Sequence, residues 1–161
     1  MTKTEITLRF VRFSQWVQSL ESLSDDEWFQ PLRHGKWSVS EIIAHLTYWD
    51  RYFLKERYPK MKAGAKLPRA IDVDVMNQRA SLYAKSGVKK DDLIKEFLET
   101  RDLIVKAINA RSEEDMDTVF FNRGHEETLR DYLINLCEHD RHHKLQIEEF
   151  LNRKYETEEM N

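Results

Sequence analysis

Three histidines crowd into one short stretch of this sequence, His139-Asp-Arg-His142-His143, and another, His45, stands far upstream. A helix advances about 100° per residue, so His139 and His143 lie one turn apart on nearly the same face, while His142 points away. Two imidazoles at this spacing can both reach one metal ion at about 2.0–2.1 Å. The pair therefore indicates a metal site, although an HxxxH pair alone is a weak signal.

The apolar stripe of the predicted last helix indicates which of these side chains face the core. That stripe consists of Leu129, Leu133, Leu136, Ile147 and Leu151. His143 falls within it, His139 lies at its edge, and His142 lies outside it. Asp140 also falls on the apolar side, where a carboxylate is unfavourable unless it is paired. Asp140 therefore either orients an imidazole of the site, or pairs with a buried arginine or lies at a wet end of the bundle.

The second helix supplies a third inward-leaning histidine, His45, on the flank of a stripe formed by Val39, Ile42, Leu46, Trp49 and Phe53. A single inward histidine is more often a hydrogen-bonded core residue. Together, however, His45, His139 and His143 would hold an ion from one side and leave the other side open for water or a substrate, whereas a closed structural site usually takes four ligands. Zn²⁺, Ni²⁺ and Fe²⁺ all accept imidazole, and the sequence does not choose among them.

Other reactive side chains carry weaker signals. His142 is either a general base near the metal or, as its angle favours, a solvated surface residue. Cys137 falls off the predicted core stripe with no inward histidine beside it, which argues against a catalytic thiol. Tyr48 and Tyr52 either line a substrate pocket or pack with wet hydroxyls.

The elements that would position these residues are helices. Apolar periodicity predicts long helices over residues 4–23, 38–58, 90–110 and 128–154, and a shorter one near 73–85. Ser38 and Glu41 form a capping box that begins the second helix, and Pro59 ends it. We expect a connector over residues 24–37, a loop over 60–70, and an irregular segment over 112–127 with a short extended piece at 118–121. The pattern predicts a single all-α domain, a four-helix bundle over residues 1–154, followed by an acidic, frayed tail at 155–161.

Composition narrows the function classes. The 161 residues carry 26 basic and 29 acidic side chains, a net charge of −3, so nucleic acid is not an implied partner. Cys137 is the single cysteine, so no intrachain disulfide forms and a reducing, cytoplasmic location is expected. The charged N-terminal stretch does not resemble a signal peptide, and no apolar run is long enough to predict a transmembrane helix.

Two segments resemble a known family. W-S-x-x-E-x-x-x-H-L at residues 37–46 and H-x-x-H-H-x-x-Q-I at 139–147, with Asn77 and Thr128-Leu between them, are similar to the DinB/YfiT-like superfamily. The resemblance implies an up-down-down-up four-helix bundle, homodimers, and one divalent metal on His45, His139 and His143. Many members have glycine at the position that Leu145 occupies here. The larger leucine side chain would narrow the space behind the site in this chain.

The resemblance also implies classes of activity. Some members are S-transferases that use bacillithiol, mycothiol or glutathione, others are described as metal-dependent hydrolases, and many have no assigned activity. We therefore expect a metal-dependent enzyme of the thiol S-transferase or hydrolase type, acting on a small molecule, with a low-molecular-weight thiol as a candidate cosubstrate. The alternative is a non-catalytic bundle that binds a small ligand or a protein, with a structural or incidental metal.

Overall fold

Four long helices form the body of the protein in this computed structural model, which describes residues 1–160. They are α1 (Lys3–Ser19), α3 (Val39–Tyr52), α5 (Lys90–Asn109) and α6 (Leu129–Met160), and two shorter helices, α2 (Asp25–Phe29) and α4 (Val73–Ala84), lie in the connections. Both α1 and α3 pack against α5 and α6, so α1 and α3 occupy opposite corners of the bundle. The predicted four-helix bundle and its extra helix are confirmed.

Side-chain contacts give the directions of the four helices. Parallel runs join α1 to α6 and α3 to α5, through the pairs Met1–Arg130, Arg9–Glu138, Asp50–Arg101 and Tyr58–Ala107. In contrast, α1 and α5 are antiparallel, because Lys3 contacts Arg111 while Phe13 contacts Phe97. The bundle is therefore up-down-down-up, and the return from α3 to α5 is made by α4.

The start of α3 follows the predicted capping box. Ser38 Oγ accepts a hydrogen bond from the backbone N–H of Glu41 at 3.1 Å, and Glu41 Oε1 accepts one from the N–H of Ser38 at 3.3 Å. The helix was predicted to continue to about Tyr58, but its regular α-helical part ends at Tyr52. A π-helical turn (Phe53–Arg57) and a 3₁₀ turn (Tyr58–Lys60) follow, ahead of and around Pro59, which cannot donate to an α-helical ladder.

Two connections contain more structure than predicted. Residues 24–37 were expected to be an irregular connector, but they include α2, whose start has its own capping box between Ser24 and Glu27 and whose Trp28 is fully buried. Residues 112–127 contain a β-hairpin of β1 (Val119–Asn122) and β2 (His125–Thr128). Its turn places Arg123 and Gly124 at positive φ, as a two-residue hairpin requires. The expected extended piece is thus one half of a paired ribbon.

The helix faces differ from the apolar periodicity at three positions. Leu8 and Leu103 fall at apolar-period positions of the helices predicted over residues 4–23 and 90–110, but they are 43% and 56% exposed. Cys137, assigned outside the core stripe, is only 5% exposed and packs in the core among Ile104, Phe120 and Leu133. The buried line of α6 therefore runs through Cys137, Asp140, His143 and Ile147, and Leu136 stands beside it, half-buried.

The last helix is longer than predicted. α6 continues to Met160, beyond the end expected near residue 154, and Asn161 of the expected acidic tail lies outside the described residues. Within residues 1–160, no helix combines the length and the apolar character needed to cross a membrane.

Candidate metal centre

His45, His139 and His143 converge on one point between α3 and α6. His139 Nε2 lies 3.2 Å from Nε2 of His45 and 3.1 Å from Nε2 of His143. The ligand nitrogens of the three residues all lie within 4.8 Å of one another. Two atoms that each lie about 2.0–2.1 Å from one ion are separated by roughly 2.8–3.4 Å at angles of about 90–109°. The spacing of the three nitrogens is therefore compatible with a shared divalent ion.

A single amide oxygen fixes the orientation of His45. Asn77 Oδ1 on α4 lies 2.9 Å from His45 Nδ1 and accepts a hydrogen bond from the indole N–H of Trp49 at 3.0 Å. Because the indole can only donate, the atom that it meets must be the amide oxygen rather than the amide nitrogen. His45 Nδ1 must then carry the proton, which leaves Nε2 with a free lone pair directed at the site.

His143 is oriented by a neighbour on its own helix. Gln146 Oε1 lies 2.9 Å from His143 Nδ1. With Nδ1 donating to this oxygen, Nε2 of His143 also presents a lone pair to the site. A proton on His139 Nε2 could point at Nε2 of His45 or at Nε2 of His143, but not at both. In at least one of these two close pairs, both nitrogens therefore present a lone pair to each other. That arrangement is repulsive unless a cation lies between them.

The surroundings keep these imidazoles in the neutral form that binds metals. Burial lowers the pKa of His45 to about 3, with the charges of His143 and His139 adding to the effect. Burial likewise lowers the pKa of His143 to about 4, and it lowers the pKa of His139 below its ordinary value. All three side chains are therefore neutral near pH 7, and no proton competes with an ion there.

A cavity of about 460 Å³ opens onto the three histidines. Its other walls are mostly aromatic or apolar, and none of its described lining residues is acidic: they are Trp37, Trp49, Tyr52, Phe53, Val73, Asn77, Tyr132, Leu136 and His142. His142 is exposed, as its helical angle predicts, and lines the rim of this cavity. Leu145 does not narrow the site, because it is exposed and lies outside the cavity wall.

Asp140 points to an arginine rather than to an imidazole. Arg101 Nη1 and Nη2 donate to Asp140 Oδ2 and Oδ1 at 2.6 and 3.1 Å, and Arg101 Nε donates to Asp50 Oδ2 at 2.9 Å. The guanidinium also lies 4.8–5.4 Å from the ring centroids of Phe97, Phe10 and Phe13. Of the interpretations open to Asp140, the buried ion pair is the arrangement observed.

This Asp50–Arg101–Asp140 triad is buried on all sides. Arg101 is 1% exposed and the two carboxylates are nearly as inaccessible. Burial raises the pKa of Asp50 to about 6 against the opposing charge of Arg101, and it raises the pKa of Asp140 in the same way. The triad joins α3, α5 and α6, two of which carry the histidines.

The remaining reactive side chains lie apart from the centre. Cys137 is buried in the core, and burial raises its thiol pKa to about 12, so it is not a ready nucleophile. His34 and His125 are exposed and do not belong to the histidine group.

Several residues of the site have roles that the sequence analysis did not assign. Gln146 follows His143 by three positions on a helix, so helical spacing alone could have paired them. Arg101 follows Phe97 by one turn within the apolar stripe of α5, which marks a buried charge in need of partners. Asn77 was noted only as part of a family motif, and no local pattern links it to His45, which lies on another helix.

Comparison with known proteins identifies a matching family and a shared fold. A profile of the DinB superfamily matches residues 8–147, which include all three histidines. No curated protein matches the chain significantly in sequence. One similar solved structure is YfiT from Bacillus subtilis, described as a probable metal-dependent hydrolase with an unusual four-helix bundle topology; it has a TM-score of 0.76 at 16% identity and covers 94% of this chain and 87% of its own.

A second similar structure is the sibling lethal factor precursor DfsB. It has a TM-score of 0.73 at 13% identity over 96% of this chain and 97% of its own. At these identities the two structures show a shared fold and nothing more. The extent of the profile match decides the family, and the chain belongs to the DinB superfamily.

Proposed function

We propose that this protein is a metal-dependent enzyme that holds one divalent ion, Zn²⁺, Ni²⁺ or Fe²⁺, on His45, His139 and His143. The observation that carries the proposal is the convergence of three Nε2 atoms, two of them with their protons committed elsewhere by Asn77 and Gln146. Two buried and one half-buried imidazole, all neutral and facing one another, have no internal reason to be there without a cation.

The chain's own residues prepare the site in two ways. Asn77, with Trp49 on its other side, and Gln146 hold the two outer imidazoles in the metal-binding tautomer. The aromatic walls around Trp37 and Tyr132 keep the cavity apolar, which strengthens electrostatic interactions within it.

The histidines occupy one side of the centre and leave the cavity side free. An ion held there would act as a Lewis acid and would lower the pKa of a water or a thiol that enters from the cavity. Water as nucleophile gives hydrolysis of a small molecule, and a low-molecular-weight thiol as cosubstrate gives S-transfer. YfiT, a structural neighbour described as a probable metal-dependent hydrolase, supports the first of these reactions.

Metal content tests the proposal directly. Untagged protein purified without chelator should carry about one divalent ion per chain by mass spectrometry of the metals. His143→Ala should lose the ion, whereas His34→Ala, which changes an exposed histidine outside the centre, should keep it. Protein that takes up no metal under any loading condition would remove the basis of the proposal.

Chelation separates an enzyme from a merely metal-stabilised bundle. If the chelated protein keeps its helical circular dichroism, the ion is exchangeable, as a reactive centre requires; if it unfolds, the ion is mainly structural and the non-catalytic alternative gains support. The loaded protein should then be screened with several thiols against electrophiles, and with esters and amides without thiol. Turnover that disappears in His143→Ala identifies the reaction.

A cytoplasmic location and a homodimeric state belong to the same proposal. The single cysteine and the family resemblance predict them. Light scattering coupled to size-exclusion chromatography tests the second prediction, with a mass of twice 19.4 kDa as the expected result.

A further inference from the structure

A second cavity, of about 580 Å³, lies on the other side of Tyr52 from the histidines. Its floor is apolar and includes Tyr48, Ile71 and the buried Met76. Tyr52 lines both cavities, and its hydroxyl accepts a hydrogen bond from the backbone N–H of Ile71 at 3.0 Å, which fixes the shared wall. A concave apolar floor of this size fits a ring-sized organic group.

The rim of this cavity is strongly basic. Five cationic side chains line it and one acidic side chain, Glu56, accompanies them; the five are Arg51, Lys55, Lys60, Arg69 and Arg79. The whole chain carries a net charge of −3, so this excess is local. Like charges gathered around a concave surface repel one another and attract an anion.

The basic side chains of the rim have poor partners. Arg51 and Lys60 lie 3.8 and 3.7 Å from their nearest carboxylate oxygens, beyond hydrogen-bond distance. Within residues 1–160, no carboxylate oxygen lies within 4.0 Å of a side-chain nitrogen of Lys55, Arg69 or Arg79.

Pairing varies among the arginines elsewhere on the surface. Arg9, Arg33 and Arg130 contact carboxylates at 2.8–3.1 Å, whereas the exposed Arg12 and Arg123 have no carboxylate within 4.0 Å among residues 1–160. What distinguishes the cavity is therefore that five cations surround one concave surface with a single acidic side chain among them.

We propose that this basic cavity binds a small molecule that carries a carboxylate or phosphate group on an apolar, ring-sized body. The anionic group contacts Arg69, Arg79 and Lys55, and the body packs on Tyr48 and Met76. Tyr52 lines both cavities, so the bound molecule lies next to the cavity at the three histidines. A role for it as substrate or cosubstrate rests on the proposed function, whereas the binding of the anion does not.

Amide-resolved NMR titration tests the binding and its location together. The probes are benzoate, phenyl phosphate, inorganic phosphate and the neutral benzamide. We expect benzoate or phenyl phosphate to bind at least about ten-fold more tightly than benzamide, with shifts at the amides of Ile71 and Met76, and the two anions to show whether carboxylate or phosphate is preferred. Inorganic phosphate should bind more weakly than phenyl phosphate, since it lacks the apolar body.

Matched variants make the test specific. Arg69→Gln and Arg79→Gln should each weaken anion binding by about five-fold, the effect of one partly screened charge. Arg12→Gln, an exposed arginine on α1 outside the cavity, should leave it unchanged. Equal binding of benzamide and benzoate, or wild-type affinity in Arg69→Gln/Arg79→Gln, would overturn the proposal.

The metal centre and the basic cavity can be tested separately. His143→Ala should still bind the anions, and Arg69→Gln/Arg79→Gln should still carry metal. Anion binding without any metal would leave this proposal intact while removing the proposed function, and metal without anion binding would do the reverse.

Discussion

Asn77 Oδ1 lies 2.9 Å from His45 Nδ1, although the two residues lie on different helices. The same oxygen accepts a hydrogen bond from the indole N–H of Trp49, so the orientation of the Asn77 amide is fixed by the protein alone. The helix α4 therefore takes part in the histidine site without supplying one of its three imidazoles. This relationship makes the tautomer of His45 a property that substitutions can test.

Removal of the acceptor at position 77 should weaken metal binding. Asn77→Leu frees His45 Nδ1 to lose its proton while Nε2 gains it, so we expect the affinity for Zn²⁺ to fall by about 10–100-fold in a chelator competition. Asn77→Asp, which keeps an acceptor oxygen, should retain most of the affinity. Gln78→Leu, an exposed neighbour on α4, is the matched control. An unchanged affinity in Asn77→Leu would show that the hydrogen bond does not control the ligand.

Acid should destabilise the metal-free protein as the pH falls below about 6.5. His45 and His143 have pKa values of about 3 and 4 in the folded state and about 6.5 when unfolded, so below pH 6.5 the unfolded state binds more protons. The free energy of unfolding should then fall by about 1.4 kcal/mol per pH unit for each of these histidines as the pH drops from 6.5 toward 4.

Urea titrations of the metal-free protein at pH 7, 6 and 5 measure this slope. Asp50 acts in the opposite sense, because its raised pKa favours folding at lower pH, so the comparison must be made between variants. His143→Ala should show a shallower pH dependence than the wild type. Direct observation of His45 or His143 titrating near 6.5 by NMR would contradict the assigned environment.

Loss of Arg101 should be among the most destabilising single changes in the chain. Arg101→Met leaves the carboxylates of Asp50 and Asp140 buried without a counter-charge, at a cost of about 3–5 kcal/mol in the free energy of unfolding. Lys106→Met removes a charge from the exposed face of the same helix and should change stability by less than about 0.5 kcal/mol.

The companion measurement concerns the whole triad. Replacing all three residues together by apolar ones of similar volume should recover much of the loss, because no unpaired charge then remains in the core. Equal unfolding midpoints for Arg101→Met and Lys106→Met would mean that the triad is not as well enclosed as its burial indicates.

Cys137 should be chemically silent in the folded protein. It is 5% exposed and burial raises its thiol pKa to about 12, so a thiol reagent such as dithionitrobenzoate should label it only on unfolding. Cys137→Ala should leave metal content unchanged. Rapid labelling of the native protein at pH 8 would show that the α6 face opens far more readily than the packing suggests.

The sequence predicted those features that depend on local spacing. The capping box at Ser38 and Glu41 and the one-turn offset of His139 and His143 follow from helix geometry, and the structure shows the box and the converging side chains. The absolute rotation of α6 was less well predicted. The apolar pattern placed Leu136 rather than Cys137 in the core, but Leu136 lines the cavity at the three histidines and Cys137 packs in the core.

Features that depend on distant residues could not be predicted in the same way. The pairing of Asp140 with Arg101 and Asp50 brings three helices together, so the sequence offered only the signal of charges on apolar faces. The second strand of the hairpin, His125–Thr128, has too few apolar residues to mark a strand, and its pairing with Val119–Asn122 decides its conformation.

The separation of the ligands along the chain affects when an ion can be acquired. His45 and His139 are 94 positions apart, yet their Nε2 atoms lie 3.2 Å from each other. An ion held between them would act as a reversible cross-link that closes a loop of most of the chain, and closing a loop of about 100 residues by a covalent link stabilises a fold by up to roughly 4–5 kcal/mol. A nascent chain on the ribosome cannot form this link until α6 has emerged, so metal loading would have to follow the synthesis of residues 1–143.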